Sequence, residues 1–120
     1  MIITREIFDK VEENTKLDSD KKDLIETYAE QMLEYLKQKD VNFSGNSLMV
    51  FVNHLLAMMQ RGFHGESTVE MEASVLAEIE PESMELAKDA SDIFAKKENI
   101  TLGNSEIGLM AIHIQMAKMG

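Results

Sequence analysis

The sequence predicts an all-α domain, a compact bundle of five or six helices, and three observations carry that prediction. Glu, Lys, Leu, Met and Ala dominate long stretches, and residues of this kind lose little side-chain freedom on a helix. One proline and six glycines punctuate 120 residues, so helix breaks are few. The runs of β-branched residues that strands need are missing.

From Thr4 to about Thr15, Ile7, Phe8 and Val11 recur at helical spacing, which predicts a short amphipathic helix with acids on its other face. Asp18 or Ser19 is placed to cap a second helix, whose stripe is Leu24, Ile25, Tyr28, Met32, Leu33 and Leu36. This helix fades in the polar stretch 37–40. After a turn through Phe43, Ser44, Gly45 and Asn46 comes LMVFVNHLLAMM (48–59), in which only Asn53 and His54 are polar. Such a segment is buried on most sides. At roughly 18 Å it is too short for a bilayer. ArgGlyPheHisGly (61–65) is read as the loop that stops it, with His64 an exposed loop residue. A short helix is expected over about Val69 to Ile79. Pro81 then stands at a first helical position, and its helix runs to about Glu98. Asn99 to Asn104 is a polar break with Gly103 as its turn residue. The last helix, SEIGLMAIHIQMAK (105–118), again has an interior character, with His113 and Gln115 the only strongly polar residues between Ile107 and Ala117.

The length suits a single domain spanning 1–120. Apolar residues make up 44% and charged residues 28%, enough for a packed interior and a solvated shell. A net charge of −10 repels nucleic acid, itself a polyanion, and the lysine pairs at 21–22 and 96–97 are flanked by acids. Direct DNA or RNA binding is therefore not expected. Cysteine is absent, which removes disulfides and thiolate chemistry and suits a reducing compartment. With neither a secretion signal nor a membrane span in view, the expectation is a cytoplasmic protein with no membrane contact.

Two of the three histidines, His54 and His113, interrupt the two most apolar helices. A side chain able to change charge near neutral pH is unusual there. Seven residues advance a helix by almost two turns, so His54 shares a face with Arg61, and Glu106 with His113. The spacings match no metal motif, and neither a nucleophile motif nor a cofactor fingerprint accompanies them. No metal, no cofactor and no enzymatic activity are expected. Glu106 and His113 are nonetheless a conceivable acid/base pair for a small helical enzyme. Ten methionines, among them Met58, Met59, Met110, Met116 and Met119, read as flexible core filler or as an adaptable partner-binding surface.

The segments NHLLAMMQR (53–61) and SEIGLMAIHI (105–114), joined by a helical stretch containing Pro81, resemble the two signature segments of the PTS regulation domain, or PRD. The resemblance extends from about Thr15 to residue 118. It implies a helical, generally dimeric regulatory domain acting in transcriptional control of carbohydrate use. Its histidines are phosphorylated by the phosphocarrier HPr or an enzyme II component of the sugar phosphotransferase system. By position, His54 and His113 match the two phosphoacceptors, Arg61 the arginine after the first and Glu106 the glutamate before the second. Family members usually carry Asp immediately before the first histidine, where this chain has Asn53. With room for one such domain, the resemblance further implies a sensing module whose output is supplied by a separate effector or has been lost. A helical interaction module that is not phosphorylated is the alternative reading.

Overall fold

Thr4 opens the first helix of the computed structural model, which describes residues 4–119. The Thr4 hydroxyl accepts from the Ile7 amide at 3.2 Å, satisfying one of the donors that a helix start leaves free. Six helices and no strand occur among the described residues. Helix α1 (Arg5–Glu12) turns Phe8 and Val11 into the core, and a tight turn replaces the expected continuation to Thr15.

Helix α2 (Lys22–Gln38) starts later than the sequence suggests, after Lys21, and no side chain caps it. The reason is that Asp18 is engaged elsewhere: its carboxylate accepts from the His64 ring at 2.6 Å. Ile25, Tyr28, Ala29, Met32, Leu33 and Leu36 are buried, whereas Leu24, expected in that stripe, lies on its exposed margin. Glu26 is buried on the same helix and takes two hydrogen bonds from the Arg5 guanidinium, at 2.9 and 2.5 Å, tying α1 to α2. The helix ends where Asp40 adopts φ 62° and the Val41 amide returns to the Leu36 carbonyl at 2.9 Å, a left-handed closure of the last turn.

Helix α3 (Gly45–Phe63) begins at Ser44, whose amide donates to the Ser47 hydroxyl at 3.3 Å. It is buried on most sides, through Leu48, Phe51, Val52, Leu55, Leu56, Met58 and Met59. The expected loop at 61–65 starts three residues later, because Arg61, Gly62 and Phe63 remain helical. A Cβ at Gly62 would stand 3.2 Å from two atoms of the Phe94 ring. This glycine therefore serves a close approach between α3 and α5. His64 is exposed as expected, at the helix C-cap.

The short helix α4 (Ala73–Ala77) is much smaller than the segment 69–79. Val69 is 89% exposed, and the Met71 amide donates to the Ser105 hydroxyl at 2.8 Å, which holds the preceding chain outside any helix. Pro81 occupies the first turn of α5 (Pro81–Ala95) as expected. That helix stops three residues short of Glu98, at a turn where Asn99 takes φ 55° and the Ile100 amide bonds the Ala95 carbonyl at 2.8 Å. Asn99, rather than Gly103, is thus the left-handed residue of this break. Helix α6 (Asn104–Met119) packs most extensively on α5 and also against α3.

These helices enclose a hydrophobic cluster running from Phe8 to Ile114, with Phe51, Phe94, Leu55, Leu56, Met58, Met59 and Met110 fully buried. The Cα radius of gyration is 13.4 Å, what a globular chain of this length should have. No helix among the described residues is long and apolar enough to cross a membrane. Of the methionines, Met32, Met58, Met59 and Met110 are core, while Met116 and Met119 are 64% and 80% exposed.

Candidate functional site

The contact between α3 and α6 brings His54, Arg61, Glu106 and His113 together. Each seven-residue spacing had put one histidine and one charged group on a single helix face, and the two faces meet. The His54 and His113 rings lie 5.5 Å apart, centroid to centroid. Farther along the same contact, Arg61 Nε and Nη2 donate to the two carboxylate oxygens of Glu106, each at 2.7 Å. The pairings 54–113 and 61–106 run in opposite directions along the two helices, so α3 and α6 are antiparallel.

The ion pair is asymmetric in its surroundings. The Glu106 side chain is 2% exposed, against 26% for Arg61. A carboxylate so far from water needs a fixed counter-charge, and a bidentate guanidinium matches both of its oxygens. The pairing raises the Arg61 pKa above its ordinary value through the Glu106 hydrogen bonds. Both Glu106 oxygens turn to Arg61 and no hydrogen bond joins Glu106 to His113, so the acid/base pair conceived on one helix face is not formed.

The histidines differ from each other. The Nε2 of His54 is buried and has no hydrogen-bond partner. Burial, reinforced by the neighbouring His113 ring, pushes the His54 pKa down to about 4, with Glu106 and Arg61 acting on it in opposite senses. His54 is therefore neutral at physiological pH. His113 is half-buried, and its pKa is also lowered by burial. Its ring meets the edge of Phe51 at 5.7 Å, and Phe51 in turn stacks on Phe43 at 4.2 Å. The open side of His113 faces a cavity of about 430 Å³ between the start of α3 and the end of α6. Asn42, Ser44, Asn46 and Ser47 form its polar wall and Phe43, Val50, Met116 and Ala117 its apolar one. No carboxylate lines it.

Asn53 lies outside this cluster. It is exposed on α3, and its side-chain oxygen accepts from the Thr15 hydroxyl, pinning the α1–α2 connection to the helix that carries His54. No group of three His, Asp or Glu side chains among the described residues is placed to hold a metal ion.

Sequence reasoning missed Gly108. A Cβ there would stand 2.7 Å from Leu76 Cδ2 and 3.3 Å from Met71 Sδ, so this glycine lets α4 and the chain before it lie across α6 just above Glu106. A glycine inside an otherwise apolar helix is the signal that would have pointed to such a crossing.

Fold and site together define a class: a small helical domain whose two central helices share a histidine pair beside a buried arginine–carboxylate bridge. The chain belongs to the PRD domain family, which matches residues 29–117. The match includes all four residues of the cluster, while α1 and the first turns of α2 precede it. PRD domains are regulatory rather than catalytic. Comparison with curated proteins and with solved structures yields no match.

Proposed function

We propose that this chain is a cytoplasmic sensory domain whose state is set by phosphorylation of His113 from the sugar phosphotransferase system, through HPr or an enzyme II component. The observation that carries the choice of residue is the difference in access between the two histidines. A phosphoryl donor must approach an imidazole nitrogen in line with the bond that breaks. His113 opens on a cavity with neutral walls, whereas the Nε2 of His54 is sealed in the α3–α6 contact. His54 becomes an acceptor in its own right only if that contact opens.

The output passes to a partner and bears on transcription of carbohydrate genes. Exposed Val50, Met116 and Met119 stand beside or just beyond the His113 cavity, and they support placing a homodimer or effector contact there. A phosphoryl group adds a charge of roughly −1.5 to −2. Next to an apolar contact it disfavours association by desolvation, and about 1.4 kcal/mol already shifts such an equilibrium tenfold.

The test is incubation with phosphoenolpyruvate, enzyme I, HPr and an enzyme II component, followed by intact-mass measurement. A gain of one phosphoryl group in wild type, kept in His54→Ala and lost in His113→Ala, is the expected result. No gain with any donor sinks the proposal and leaves the interaction module that is not phosphorylated. Sedimentation of the two forms reports whether the modification changes the assembly.

A further inference from the structure

A phosphoryl group on His113 needs a counter-charge, and the cation expected for it is already taken. Arg61 is held by both oxygens of a buried Glu106, and it lies seven residues, roughly 10 Å, farther along α3 than His54. Withdrawing it would strand the Glu106 carboxylate away from water. The titratable groups that face His54 are His113 and Glu106 from α6 and Arg61 from its own helix. Glu106 and Arg61 largely offset each other as a closed pair, which leaves His113 as the neighbour whose change of charge His54 feels most. The His54 ring is 5.5 Å from that of His113 and carries a buried nitrogen with no partner.

We propose that His54 is a positioning residue for this modification: it takes up one proton from solvent when His113 is phosphorylated, and the imidazolium so formed offsets the charge of the phosphoryl group across the contact between the two rings. The inference rests on His113 being the acceptor. In the transfer, a lone pair on a His113 ring nitrogen forms the new N–P bond. The carrier's N–P bond breaks, its electron pair returning to the carrier imidazole, which picks up a proton. The proton on the other His113 nitrogen is lost to solvent. The separate uptake of a solvent proton at the bare nitrogen of His54 then balances part of the added negative charge.

The size of the effect follows from distance. A charge of roughly −1.5 to −2 about 6 Å away, at an effective dielectric near 20, strengthens proton binding on the order of a thousandfold. His54, neutral in the unmodified protein, would then be largely protonated up to about pH 7. The two histidines thus act as one charge-compensated site, and phosphorylation is coupled to proton uptake.

Three histidines make the measurement tractable. Ring-nitrogen NMR shifts of His54, His64 and His113 are followed against pH in wild type, in wild type phosphorylated chemically with phosphoramidate, and in His113→Glu. His54→Gln assigns the signal, and His64, on the exposed contact with Asp18, is the internal control. Phosphorylation should raise the His54 titration midpoint from about 4 to near 7, and His113→Glu should strengthen its proton affinity at least tenfold, with His64 unchanged. A His54 that stays neutral at pH 6 while ³¹P NMR places phosphate on His113 overturns the proposal, as does phosphate that instead draws Arg61 off Glu106. If phosphoramidate leaves His113 unmodified but His113→Glu raises the midpoint, the acceptor assignment falls and the charge coupling stands. If His113→Glu folds and does not raise the midpoint, the coupling itself is refuted.

Discussion

Replacing Arg61 by methionine keeps most of the side-chain volume and leaves the Glu106 carboxylate buried with no counter-charge. That carboxylate is 2% exposed and loses both of its 2.7 Å hydrogen bonds. Removing one partner of a buried ion pair costs about 3–5 kcal/mol, far more than the pair is worth over an apolar replacement. Unfolding entropy near 2.1 cal/mol/K per residue gives about 0.25 kcal/mol/K for 120 residues. Arg61→Met should therefore lower Tm by roughly 12–20 °C. The double variant Arg61→Met/Glu106→Leu removes both charges and should recover most of the loss, to within about 1–2 kcal/mol of wild type. Calorimetry and urea unfolding of the four proteins of the cycle give the coupling energy. A single variant that costs under about 1 kcal/mol, or a double variant no more stable than the single, would refute the view that Glu106 depends on Arg61.

The remaining expectations concern pH and backbone geometry. Because the unfolded chain binds a proton at His54 near pH 6.5 and the folded one only near 4, His54 contributes stability that is complete above pH 6.5 and lost as pH falls toward 4. The loss is at most about 3 kcal/mol, and burial of His113 adds in the same direction. Glu12, pushed up to about 7 by burial and by Glu26, works oppositely, its contribution being lost as pH rises from 4.5 to 7. His54→Leu should accordingly flatten the acid limb of stability against pH, and Glu12→Gln should raise stability near pH 7; curves parallel to wild type contradict each assignment. Gly62→Ala sets a methyl against the buried Phe94 ring at 3.2 Å, and denaturant unfolding should register a net loss of about 1 kcal/mol despite the better helix propensity of alanine. Asp40→Gly relieves a left-handed residue at φ 62° that ends α2, and a stabilisation of about 0.5–1 kcal/mol should appear as a Tm higher by a few degrees.

Much of this molecule was legible along the chain, in ways that follow from how local each property is. Helical periodicity depends on neighbours three and four residues away, so α1, α2, α3, α5 and α6 all stand where their apolar spacing put them. Pro81 at the first turn of α5 is likewise a local effect, since its missing amide had no helical partner to lose. Helix ends were read less well. Asp18 looked like a cap and is instead bound to His64, forty-six residues away. The segment 69–72 looked helical and is held outside α4 by a hydrogen bond to Ser105. At such termini the competing energies are about 1 kcal/mol, small enough for one distant contact to decide them.

The site divides along the same line. That His54 and His113 sit in apolar helices, each sharing a face with a charged residue, is determined by the sequence, because residue identity and helical pitch require nothing more. Which charges pair is decided by the tertiary structure. Along each helix, His54 has Arg61 for company and His113 has Glu106; across the antiparallel contact of α3 and α6, Arg61 closes on Glu106 and the two histidines face each other. The difference in access between the histidines also arises only from packing, which seals one Nε2 and leaves the other ring open to a cavity. Electrostatic energy depends on distance through space and on removal from water, and neither quantity is written in the order of residues along a chain.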